Sequence, residues 1–81
     1  MKLPRDVSGG DLIRLLRPLG YEVDRQTGSH VRLTRAVEGR AHKVTIPNHS
    51  PIKLGTLNAI LADIAAHLEI PKPELIDRLF G

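Results

Sequence analysis

The chain has 81 residues, 41% of them hydrophobic, so it can bury one small core but not a second. It has no cysteine, which excludes disulfides and thiolate zinc sites and points to a reducing, intracellular setting. The net charge of +3 leans toward anionic partners, while a single Tyr and a single Phe exclude a platform of rings for stacking single-stranded bases. Met1 to Asp6 carries no apolar run resembling a signal peptide, and no stretch approaches the roughly 18 apolar residues of a membrane span. A cytoplasmic protein without a membrane partner is expected.

The first periodic segment runs from Ser8 to Gly20. Leu12, Leu15, Leu16 and Leu19 make one helical stripe. Ser8 and Asp11 have capping-box spacing, and Gly20 suits a left-handed stop. Pro18 lacks an N–H to donate, so the last turn should be irregular. Three short strands follow. Tyr21–Gln26 offers Tyr21 and Val23 to the core, His30–Arg35 offers Val31 and Leu33, and His42–Ile46 offers Val44 and Ile46. Gly28-Ser29 suits a tight hairpin turn, and Ala36 to Ala41 reads as a longer loop. Ser50-Pro51 is the expected entry to a second helix with Leu57, Ile60, Leu61, Ile64 and Leu68 as its stripe. Ile70 to Pro73 should break it, and Glu74 to Phe80 should form a short C-terminal helix, at about 73–80. The expected fold is α+β: one domain over 1–81, α-β-β-β-α, with a three-stranded antiparallel sheet and its helices on one face. That is the layout of a double-stranded-RNA-binding-like fold.

The alternation sorts the four histidines. His67 falls at the edge of the second helix's stripe, in its last turn, where an imidazolium would favour the helix C-terminus. His42 opens a strand beside Arg40 and Lys43 and reads as a solvated edge residue. His49 is a loop residue between the third strand and the second helix. His30 shares its alternation class with Arg32 and Thr34, so it belongs on the open sheet face, away from the helices. Spacing alone makes it a surface residue beside a turn, yet an imidazole there suits proton transfer at neutral pH. Arg32, Lys43 and Arg25 would give the positive field that phosphate chemistry needs. His30, His42 and His49 match no zinc motif, so no metal or cofactor is expected. There is no Ser-His-Asp or Cys-His arrangement and no phosphate-cradling glycine loop.

The stretches LPRDVSGGDLIRLLRPLGYEVDRQTGSHVRL, VTIPNH and GTLNAIL, in that order, resemble the HicA (YcfA-like) toxins of type II toxin–antitoxin systems. The likeness covers roughly residues 3–66 and leaves out Pro71-Lys72-Pro73 and the last helix. It implies a messenger-RNA interferase on a double-stranded-RNA-binding-like fold, acting without the ribosome. It also implies a HicB-type antitoxin that masks the site, with the toxin a monomer when free and part of a hetero-oligomer when neutralised. The family's catalytic histidine in G-S-H maps onto His30. On that reading His30 is the general base toward a 2′-OH and doubles as the acid, and Arg32 and Lys43 offset the developing charge. Lys53, Gly55 and Thr56, at the start of the second helix, would hold a neighbouring phosphate, against the plainer reading of ordinary helix entry with Gly55 giving close packing. Ser29, Asn48 and His49 are auxiliary candidates. No clear second acid or base stands out, so a slow enzyme is expected. The alternatives are a non-catalytic RNA-binding module and a protein-interaction domain.

Overall fold

A computed structural model describes residues 3–81. Helix α1 spans Gly9–Leu16. Its capping box forms: Asp11 N donates to Ser8 Oγ at 3.0 Å, and Ser8 N donates to Asp11 Oδ2 at 3.3 Å. These bonds hold the exposed Asp11 carboxyl below its ordinary pKa. The irregular turn expected from Pro18 is a 3₁₀ turn over Arg17–Leu19, and Gly20 closes it with φ 96°.

Strands β1 (Glu22–Thr27), β2 (His30–Val37) and β3 (Arg40–Pro47) form one antiparallel sheet in that order. Alternation carries Val31, Leu33, Val44 and Ile46 into the core, as expected. Three expectations change. Tyr21 is fully buried, but it precedes β1 and does not belong to it. Val23 pairs with buried Leu33 yet stays 49% exposed, because β1 is an edge strand that the helices do not reach across. The segment Ala36 to Ala41 is not a loop: Ala36 pairs with Ala41 and Val37 with Arg40, around a two-residue turn at Glu38-Gly39. Both turn residues take positive φ, 50° and 78°, the conformation that matches the twist of a tight hairpin. Glu is a rare choice there, which is why the turn was hidden.

Helix α2 (Leu54–Leu68) buries Leu57, Leu61, Ile64 and Ala65 over the sheet. It begins three residues after Pro51, so Ser50-Pro51 belongs to the approach and not to the helix entry. Helix α3 (Lys72–Phe80) starts two residues earlier than expected, with Pro73 in its first turn, where a missing N–H costs nothing. It adds Leu75, Ile76 and Leu79 to the core. Among the described residues no helix is long and apolar enough to cross a membrane.

Gly9 fixes how close α1 comes to the end of β3. A Cβ at this position would collide with the Pro47 carbonyl oxygen and lie 2.7 Å from Asn48 Cα. Gly9 N also donates to His49 O at 2.9 Å. Side-chain-free backbone is the only surface that fits this approach. Gly55 differs: a Cβ there would meet nothing within 4 Å, so close packing does not require glycine.

At the far end of the sheet the helix-side face turns polar. Arg35 and His42 are cross-strand partners on the face that carries Leu33 and Val44. His42 is not a solvated edge residue, since its side chain is only 16% exposed. Its Nδ1 lies 2.7 Å from the Tyr21 hydroxyl and its Nε2 lies 3.4 Å from Asp63 Oδ1. Its ring stacks on that of His67 with centroids 4.2 Å apart. Arg35 Nε donates to Leu19 O at 2.7 Å, and its guanidinium reaches His67 Nε2 at 3.3 Å. Burial pushes the Tyr21 hydroxyl up to about 12. Loss of water, with His42 and Arg35 alongside, lowers the His67 pKa. His67 is therefore structural, as expected, but as a neutral ring and not the imidazolium anticipated from its helix position.

Two stability predictions follow from this packing. Gly9→Ala should cost about 1–3 kcal/mol by overpacking, whereas Gly55→Ala should be neutral or stabilise by up to about 1 kcal/mol, both read from urea midpoints. The lowered His67 pKa means the unfolded chain takes up that proton more readily. Its contribution is present above an ordinary histidine pKa and is lost as pH falls below it. The urea midpoint should fall between pH 7.5 and 5.5, and fall less in His67→Gln; an equal fall in both would refute the assignment.

Candidate functional site

The open face of the sheet carries the residues that the helices leave uncovered. On β2 these are His30, Arg32 and Thr34. Register places Thr27 opposite His30, Arg25 opposite Arg32, and Thr45 opposite Arg32 on the other side. Arg25 reaches this face through an irregularity. Strict alternation from Val23 would turn it toward the core, but the register shifts between Val23 and Arg25. Asp24 is the extra residue of this bulge, and its carboxylate accepts from Thr34 Oγ1 at 3.0 Å.

Two depressions meet at His30. The first, about 310 Å³, is lined by Arg25, Thr27, His30, Arg32 and Thr45. The second, about 620 Å³, is lined by His30, Thr45, Pro47, His49, Pro51, Lys53 and Thr56. His30 and Thr45 border both. Neither lining contains a carboxylate, while together they contain Arg25, Arg32 and Lys53. Like charges directly opposite one another on a sheet are destabilising. Arg25 and Arg32 are such a pair, and among the described residues neither makes a salt bridge. The repulsion between these two guanidinium groups is thus left without a carboxylate partner on the open face.

The second depression is built by the segment Pro47–Ile52, which three backbone hydrogen bonds fasten. Asn48 N donates to Ser29 O at 2.6 Å, Gly9 N to His49 O at 2.9 Å, and Ile52 N to Val7 O at 2.8 Å. The G-S-H turn and the P-N-H segment, distant in sequence, are thus directly bonded. Ser29 and Asn48 act in this tie through their backbones, and neither lines a depression. His49 does, as do Lys53 and Thr56; Gly55 does not.

Lys43 stands apart. It pairs with Thr34 and lies in a separate depression whose lining also includes Glu22 and Asp24, although among the described residues it makes no salt bridge with either. His42 is on the other face of the sheet, so His30, His42 and His49 do not converge. Among the described residues no three His, Cys, Asp or Glu side chains gather as a metal site. Thr27 and Thr45 join the site without a motif of their own. Thr45 shares its alternation class with Lys43, which was the available signal; Thr27 needed the bulge.

A family model described as HicA toxin of bacterial toxin-antitoxin matches residues 9–65, more than two thirds of the chain. The match runs from the first residue of α1 to the buried Ala65 of α2, so it spans the sheet, both depressions and the fastened segment, and leaves α3 outside. No curated protein and no solved structure matches the chain. A match of that extent, over the elements that form the His30 surface, places the chain in the family of HicA toxins of bacterial toxin–antitoxin systems.

Proposed function

We propose that this HicA-family toxin is an endoribonuclease that uses His30 to cleave RNA, and that a HicB-type antitoxin neutralises it by covering the open sheet face. The observation that carries this reading is the Arg25–Arg32 pair, two uncompensated guanidinium groups beside an exposed imidazole. RNA supplies its own nucleophile. His30 removes the 2′-OH proton, O2′ attacks the adjacent phosphorus, and the P–O5′ bond breaks. The products are a 2′,3′-cyclic phosphate and a 5′-oxygen that must regain a proton. Arg25 and Arg32 offset the charge that gathers on the phosphorane oxygens.

The same surface supports a mode of binding through phosphate. Neither depression is lined by Tyr21 or Phe80. Tyr21 is wholly buried, and Phe80 packs against the core from α3. Bases therefore have no Tyr or Phe ring to stack on here, and affinity rests mainly on the sugar-phosphate chain.

Induced without antitoxin, the wild type should arrest growth and His30→Ala should not; equal arrest by both would refute a catalytic His30. With purified protein and single-stranded RNA in EDTA, His30→Ala should lower the cleavage rate by about 10²–10⁴-fold while RNA binding persists. Binding without any cleavage by the wild type would favour a non-catalytic module. Arg25→Ala and Arg32→Ala should each flatten the dependence of log affinity on log salt by about 1, and Lys43→Ala should flatten it less. A larger effect at Lys43 than at Arg32 would move the phosphate path toward the far end of the sheet.

A further inference from the structure

The four histidines divide into two pairs. His42 and His67 are occupied with each other and with Tyr21, Asp63 and Arg35 on the helix side of the sheet. His30 and His49 line one depression on the open side, and among the described residues neither ring is engaged in a hydrogen bond or a salt bridge. His49 is not placed by its ring. Its carbonyl accepts from Gly9 N, and the preceding residue's N–H is bonded to Ser29, the residue before His30. Backbone thus fixes the two imidazoles into a common space and leaves both sets of ring nitrogens open.

We infer that His49 is the general acid of the cleavage, donating the proton that the departing 5′-oxygen takes, with His30 as the base. This rests on the ribonuclease reading above. In-line displacement puts the attacking O2′ and the leaving O5′ on opposite sides of phosphorus, so a single imidazole reaches both only by moving between them. Two imidazoles need no such movement. The His30–Thr45 border shared by both depressions receives the scissile phosphate. The nucleotide that supplies the 2′-OH lies toward Arg25 and Arg32, and the nucleotide on the leaving 5′-oxygen lies toward His49 and Lys53. The step balances: His30 gains the 2′-OH proton, O2′ bonds to phosphorus as P–O5′ breaks, and His49 loses its proton to O5′. Exchange with water restores both rings.

A leaving group that departs without a proton separates this role from a structural one. On ordinary RNA, His49→Ala and His49→Gln should cleave about 10²-fold or more slowly than wild type. On the same RNA with sulfur replacing the bridging 5′-oxygen at one linkage, both variants should recover to within about tenfold of wild type, because a thiolate leaves unprotonated. His30→Ala should remain impaired on both substrates. Urea midpoints of the variants check that the fold is kept. Wild-type rates for the His49 variants on ordinary RNA would overturn the inference, as would equal impairment on the sulfur-bridged substrate or rescue of His30→Ala alone. In each of those outcomes the ribonuclease reading survives. No cleavage of either substrate by the wild type would instead overturn that reading and the inference with it.

Discussion

The hydrogen bond from Asn48 N to Ser29 O is the point on which the functional end of the molecule depends. It joins the turn before β2 to the segment after β3, two places that strand pairing alone would leave as neighbouring loose ends. With the bonds from Gly9 to His49 and from Ile52 to Val7, it converts a connection into a fixed wall. Backbone groups that leave the strand ladder need partners, and here they find them in the turn before β2, at the first residue of α1 and at Val7. Glycine at position 9 is the condition for this, since any side chain would push α1 off the wall. The capping box at Ser8 and Asp11 begins the helix at the place where Gly9 can make that contact.

The two faces of one sheet then do different work. Toward the helices, Val31, Leu33, Val44 and Ile46 join Leu12, Leu57, Leu61 and Ile64 in the core. That face ends in a polar network whose members satisfy one another: Tyr21, Arg35, His42, Asp63 and His67. No buried side-chain nitrogen or oxygen is left without a partner among the described residues. Toward solvent the rule reverses: two arginines face each other across a strand pair, and two imidazoles stand free. One histidine pair is consumed by structure, and among the described residues the rings of the other have no hydrogen-bond or salt-bridge partner. The division follows from strand parity, because Arg35 and His42 fall on the parity of the core, and His30 and Arg32 on the other.

Much of this was legible from the residues. The helical stripes, the tight turn at Gly28-Ser29, the core parity of β2 and β3 and the outward face of His30 all follow from period and turn chemistry. What stayed hidden has local causes. Glu38 takes a left-handed conformation that glutamate rarely adopts, so a tight hairpin read as a loop. His42 has the composition of an edge residue, and only the third dimension shows Tyr21, Asp63 and His67 around it. The joining of G-S-H to P-N-H is a backbone contact and carries no side-chain signature. Arg25 is a candidate on charge alone; its place beside Arg32 depends on a shifted register that no periodicity shows.

That shifted register has a second consequence. β1 is an edge strand, with a row of backbone donors and acceptors facing outward and Val23 exposed beside them. An unbroken edge of this kind is a template for pairing with another copy of the chain. The bulge at Asp24 twists the edge and sets a carboxylate and a guanidinium in succession along it, so that a second strand finds neither a straight partner nor a neutral one. The irregularity that brings Arg25 to the His30 surface therefore also makes this edge a poor template for a further strand. A change that restored regular pairing in β1 would take Arg25 away from the His30 surface and straighten the edge for pairing with another strand at the same time.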